Sequence, residues 1–218
     1  MTVPPLSQPA ATDHPQIAAV VIGGSAGALD VVRSILGALP SSVAVPVVIV
    51  LHLSATAHDT LPAVLRVECA LPVKYAEDKE PAAAGIVYVA PPAYHLLIES
   101  QQTFALSVDD PVHFSRPSID VMFESACDAY GARLLAILLS GASDDGAAGL
   151  REIASRGGTT IVQNPVSAAA PAMPAAALAR FQPAFIWTPL ELTQGLPALI
   201  TRTHSPQPGE SVADGSCV

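Results

Sequence analysis

Five short runs rich in Val, Ile and Leu punctuate this chain: residues 17–22 (IAAVVI), 45–51 (VPVVIVL), 85–90 (GIVYVA), 134–140 (LLAILLS) and 159–163 (TTIVQ). Each is apolar at consecutive positions rather than alternate ones. Strands covered on both faces read this way, whereas half-exposed strands alternate. Helical patterns separate the runs. In residues 28–39 (ALDVVRSILGAL), Leu29, Val32, Ile35 and Leu36 share one face, the spacing of an amphipathic helix. Residues 60–66, 118–130, 146–156 and 175–181 behave similarly. Strand–helix alternation predicts an α/β fold: a doubly wound, mostly parallel sheet flanked by helices. Residues 95–113 break the pattern. There LLIES, TFALSV and a turn at Asp109, Asp110 and Pro111 predict a β-hairpin near one edge.

The 218 residues suit one domain. Residues 1–15 and 203–218 are rich in Pro, Thr, Ser and Ala and read as flexible N- and C-terminal tails around a domain at 16–202. The chain is 50% hydrophobic and 13% charged, which excludes a disordered polymer. No stretch reaches the roughly 18 uninterrupted apolar residues of a spanning helix, so no membrane insertion is expected. A net charge of −9 argues against nucleic acid as a partner. Cys69, Cys127 and Cys217 are odd in number and widely spaced, fitting neither a disulfide framework nor a zinc site. The N-terminus lacks the basic start and apolar core of a signal peptide, so a cytoplasmic location is expected.

Functional residues of open α/β sheets gather at the carboxyl ends of the strands. After the first run comes Gly23–Gly24–Ser25–Ala26–Gly27, a G-x-S-x-G turn that would lift a serine hydroxyl clear of its neighbours. The same turn is also a plausible phosphate cradle, although it holds no Lys or Arg. His52 ends the second run, while His58, His95 and His113 lie further from a buried strand end. The run at 134–140 leads through Gly141, Ala142 and Ser143 to Asp144 and Asp145. Either carboxylate suits a helix cap, and either suits a histidine partner. Ser, His and Asp at three strand ends are chemically complementary. A hydroxyl is a poor nucleophile until an imidazole takes its proton, and a carboxylate fixes the imidazole tautomer.

Six ordered blocks carry a more specific signal: VVIGGSAG, IVLHLS, YVAPPAYHL, RPSIDVMF, LLSGASDDGAAGL and GGTTIVQNPVSAAAPAMPAAAL. Over residues 17–195 the chain resembles the catalytic domain of the CheB family of protein-glutamate methylesterases. The resemblance implies hydrolysis of γ-glutamyl methyl esters on methylated chemoreceptors or receptor-like proteins, with glutamine deamidation in some members. It implies Ser25 as nucleophile, His52 as base and Asp145 as the orienting carboxylate, with Asp144 on a variable position. Ala26 and Ala142 fall where backbone donors of an oxyanion site are expected. His95 and Arg116 fall in blocks that line the substrate cleft or cap turns. No metal and no organic cofactor is implied, and a CheR-type methyltransferase is a natural partner.

Several positions depart from the family pattern. Ala26 stands where Thr is usual, Gly27 and Ala28 stand where two glycines follow, Ala142 replaces a methionine, and Leu51 replaces a glutamine. Only a short tail precedes the first run, so the expectation is a stand-alone domain without a receiver domain. The changes at Ala26, Ala28 and Ala142 also admit a non-catalytic CheB-like interaction module in a signalling complex. Gln163 and Asn164 are expected on the same rim, and Met173, Pro174 and Cys127 in packing roles.

Overall fold

The computed structural model describes residues 16–52 and 60–201. Its centre is β1 (Ala19–Gly24), whose six residues are all buried. Parallel neighbours flank it: β2 (Val47–Leu51) on one side and β7 (Leu134–Leu138) on the other. Outward beyond β2 lie β4 (Val87–Val89) and β3 (Val73–Tyr75); beyond β7 lie β8 (Thr159–Gln163) and β9 (Phe185–Trp187). The order is β3-β4-β2-β1-β7-β8-β9, and every pairing is parallel. The chain thus winds one way from β1, then returns to wind the other, which puts the topological switch between β1 and β7. Ligand crevices of such sheets open there.

Two apolar layers explain why the strands read as continuous hydrophobic runs. Val20 and Ile22 of β1 pack in one core with α1 (Leu29–Ala38), α2 (Leu61–Arg66) and α6 (Pro189–Thr201). Ala19 and Val21 face the other way, toward α3 (Ile119–Tyr130), α4 (Ala147–Ser155) and α5 (Ala172–Arg180). Cys127 and Met173 are buried in that second layer. Among the described residues no helix is long and apolar enough to cross a membrane.

The hairpin forms a separate two-stranded sheet, β5 (His95–Ile98) against β6 (Phe104–Ser107), antiparallel. It hangs on the connection between β3 and β4, through Lys79 N–H to Phe104 O and Phe104 N–H to Glu80 O, both 2.8 Å. Its Leu96, Ile98 and Phe104 are buried in the second apolar layer. The two segments LLIES and TFALSV that the sequence assigns to the hairpin are the ones that pair. The chain turns between Glu99 and Thr103, closed by Gln102 N–H to Glu99 O at 2.8 Å, with Gln102 at φ 62°. The sequence reading also omits β3, β9 and α6, and begins α5 three residues late.

Candidate active site

Ser25 follows β1 directly, and His52 follows β2. The register pairs Gly24 with Leu51, and His52 N–H donates to Gly24 O at 3.0 Å. Ser25 and His52 are therefore the next residues along two adjacent strands, about 4.8 Å apart in the ladder direction. Gly24 must lack a side chain, because a Cβ there would stand 2.6 Å from Ala28 Cβ. On its other flank the Ser25 N–H donates to Ser140 O at 2.8 Å, tying the turn to the end of β7. Ser25 is half-buried. Among the described residues its hydroxyl makes no hydrogen bond, to His52 or to anything else.

Asp145 is completely buried and densely held. Its Oδ1 accepts from Ser118 Oγ and Asp120 N–H, both at 2.9 Å, and its Oδ2 accepts from Ile119 N–H at 2.8 Å. Those amides belong to the first turn of α3, so the carboxylate occupies an anion site at a helix N-terminus. Either aspartate could have capped the helix that follows it. Instead α4 starts from Gly146 with no side-chain cap, and Asp145 serves α3. His52 Nε2 lies 2.9 Å from Asp145 Oδ2 but makes no well-aligned hydrogen bond, so the contact is short and oblique. Burial pushes the Asp145 carboxyl up; the His52 contact and the Asp120 and Ile119 amides outweigh it and hold its pKa below the usual range. An ionised carboxylate only accepts, which puts the His52 proton on Nε2. Nδ1 is then the basic nitrogen. Ser115 Oγ is 3.4 Å from it.

The expected oxyanion donors sit on either side of Ser25. Ser25's own N–H is committed to Ser140, and Gly141 N–H to Ala170 O at 3.0 Å. Ala26 and Ala142 are exposed, and among the described residues their N–H groups meet no acceptor. Gly141 brings the two loops together: a Cβ on it would stand 3.0 Å from Ser25 Cβ and 2.5 Å from Met173 Cε. The altered positions are filled without disturbing this frame, since Leu51 and Ala28 are both buried in the first core.

His95 and Arg116 both hydrogen-bond to backbone groups of the loops around them. His95 is buried; its Nδ1 accepts from Ser118 N–H at 3.1 Å, so Nε2 carries the proton toward Asp110 O, also at 3.1 Å. It thereby supports the residue that supports Asp145. The Arg116 guanidinium donates to Val108 O at 2.7 Å and Asp109 O at 3.0 Å. Asp144 turns away to Arg180, at 2.7 Å, which lowers its pKa. His113 lies 3.4 Å from Asp120 and 3.2 Å from Asp144. His113, Asp120 and Asp145 bring ligand atoms within 4.8 Å of one another, but Asp145 already spends its oxygens on four neighbours. Gln163 is buried, its Oε1 accepting from Ser140 N–H at 2.9 Å, and Asn164 caps a short 3₁₀ turn. His58 lies outside the described residues.

Ser115, Ser118, Ser140 and Asp120 escape the sequence reading. Only Ser118 carries a local signal, as the residue capping α3 through Val121 N–H. Asp120 is a second buried carboxylate whose Oδ1 accepts from Gly149 N–H at 2.7 Å. Burial raises its pKa, and the Asp145 charge adds to the rise.

Comparison with known proteins agrees with this architecture. A relative in Leptospira interrogans is 45% identical over 160 residues, covering 73% of this chain and 83% of its own length. A "Protein-glutamate methylesterase/protein-glutamine glutaminase 2" of Methanospirillum hungatei is 35% identical over 189 residues, 87% of this chain and 54% of that protein. The crystal structure of the Thermotoga maritima CheB methylesterase catalytic domain superposes with a TM-score of 0.79 at 28% identity, covering 85% of this chain and 98% of that one. The CheB methylesterase family profile spans residues 20–196, most of the chain, and with the fold in accord the chain belongs to the CheB methylesterase family.

Proposed function

We propose that this protein removes methyl groups from γ-glutamyl methyl esters of chemoreceptor-like proteins, with Ser25, His52 and Asp145 as its catalytic residues. The observation that carries the reading is the placement of His52. It stands at the end of the strand beside Ser25, with Nε2 against a buried, ionised Asp145 and Nδ1 left basic. In the first half-reaction Ser25 Oγ attacks the ester carbonyl as His52 Nδ1 accepts its proton. Asp145 stabilises the resulting imidazolium, the role such carboxylates play in triads. The amides of Ala26 and Ala142 serve the oxyanion, where one donor is typically worth about 10²–10³ in kcat. His52 then returns the proton to the departing methoxide, and methanol leaves an acyl-enzyme. In the second half-reaction a water gives its proton to His52 and attacks the acyl carbon; the bond to Ser25 Oγ breaks, His52 returns the proton to that oxygen, and the glutamate leaves and ionises to its carboxylate.

The same route with ammonia as leaving group is glutamine deamidation, the second activity in the names of the relatives. The working unit is residues 16–202, acting in the cytoplasm opposite a CheR-type methyltransferase that supplies the ester. The test is methanol release from methylated receptor by the wild-type chain and Ser25→Ala, alongside labelling with a serine-directed fluorophosphonate. Methanol release and labelling by the wild type alone support the reading. Labelling that persists in Ser25→Ala overturns Ser25 as the nucleophile, and a wild type that neither labels nor releases methanol overturns the reading in favour of an interaction module.

A further inference from the structure

Ser140 stands two residues past the end of β7 and is completely buried, yet every polar atom it has is engaged with the nucleophile turn or its supports. Its carbonyl accepts the Ser25 N–H at 2.8 Å. Its hydroxyl is 2.7 Å from Ala26 O and 3.3 Å from Ala170 O, and accepts from Ala170 N–H at 2.9 Å. One hydroxyl has one proton, and the shorter contact marks Ala26 O as its acceptor. The Ser140 N–H donates in turn to Gln163 Oε1 at 2.9 Å, and Gln163 Nε2 reaches Ser167 O at 3.3 Å. Ser140 is thus braced from β8 while it grips the turn.

The two grips fall on particular peptide units. The Ser25 N–H belongs to the peptide joining Gly24 to Ser25, and the Ala26 carbonyl to the peptide joining Ala26 to Gly27. Between them lies the peptide whose N–H is that of Ala26. Peptides are planar and each residue turns about only two soft dihedrals, so holding the outer two planes restricts the middle one. We propose that Ser140 is a positioning residue for the oxyanion site: its buried hydroxyl and carbonyl, together with the Ala28 N–H that donates to Ser25 O at 3.0 Å, fix the direction of the Ala26 N–H. This rests on the reading of Ser25 as nucleophile. Ser140 acts through the backbone of the turn that it holds, at the Ser25 N–H and the Ala26 carbonyl.

The Ala26 N–H contributes most as charge develops on the carbonyl oxygen, so loss of the Ser140 hydroxyl falls on kcat rather than KM. Misplacing a catalytic group by about 1 Å can cost 10²-fold. Ser140→Ala keeps the backbone grip on Ser25 and loses the hydroxyl's bonds to Ala26 O and from Ala170 N–H. Its kcat for methanol release falls about 10- to 100-fold with KM within roughly threefold, and fluorophosphonate labelling of Ser25 slows in parallel. Ser140→Thr keeps the hydroxyl and recovers most of kcat. Wild-type kcat in Ser140→Ala, or a rise in KM alone, overturns the proposal while leaving the functional reading intact. A wild type that neither releases methanol nor labels at Ser25 removes both.

Discussion

Asp145 and Ser25 stand on loops at the same β1–β7 switch, yet the protein treats them in opposite ways. The carboxylate is sealed from water and accepts from three well-aligned donors besides its imidazole contact. The serine is half-exposed, its hydroxyl unbonded among the described residues, and the nearby Ala26 and Ala142 amides have no acceptor. Charge that must persist through a reaction cycle is held inside by fixed dipoles, which act strongly where water is excluded. Groups that must change partners are left unsatisfied, for the substrate to complete. The open side lowers the barrier only if the closed side is already rigid.

The contrast makes graded predictions. The largest effect falls on Ser25→Ala, which should cut kcat for methanol release by about 10⁴ or more. Its unfolding free energy should stay within about 0.5 kcal/mol of wild type, because the hydroxyl bonds to none of the described residues. Asp145→Asn should lose both properties. Activity falls by about 10³–10⁴, and stability in denaturant falls by about 3 kcal/mol as the amide confronts the α3 N–H donors and the pair with His52 is broken. Equal stability in these two variants would contradict the contrast. Ser118→Ala should cost about 1–2 kcal/mol by removing one donor to a buried charge, with activity reduced several-fold.

A pH titration of stability separates the two buried carboxylates. The depressed pKa of Asp145 contributes stability above the unfolded carboxylate value, near about 3.9, and that contribution is lost as pH falls through the folded value. The raised pKa of Asp120 acts with the opposite sign: its contribution is present below the unfolded value and lost as pH rises through the folded one. Asp120→Asn should therefore gain stability relative to wild type between pH 3 and pH 7, whereas Asp145→Asn should lose it over the same range. Urea midpoints at several pH values read both. The smallest effect is reserved for Ala142→Met. Position 142 offers its amide rather than its side chain, so activity should change by less than about threefold, under 1 kcal/mol of barrier.

Much of this was legible in the residues. The five apolar runs became five central strands, and parallel pairing aligns the ends that Ser25 and His52 follow, whereas Asp145 lies further on, in the loop between β7 and α4. What the pattern concealed has physical causes. Strands β3 and β9 are three residues each, and β9 is only partly buried, so neither builds a period. Helix α6 opens at Pro189 and contains Pro197, a residue that lacks the donor a helix interior needs. The hairpin turns at Gln102, a non-glycine residue in left-handed backbone, where no Gly or Asn marks the bend. Ser140 and Ser115 were invisible for another reason: a serine's duty is decided by what lies across the fold from it, and spacing along the chain carries no trace of that.

The parallel register at β1 has a last consequence. Ser25, His52 and Ser140 each sit just past a strand paired to β1 or β1 itself, and alternation along a strand has a period of two. A slip by one residue would turn each of them to the opposite face. The chemistry consequently has no intermediate grades of assembly to pass through: warming should extinguish turnover in the same cooperative step that melts the ladder, leaving no loosened yet working species.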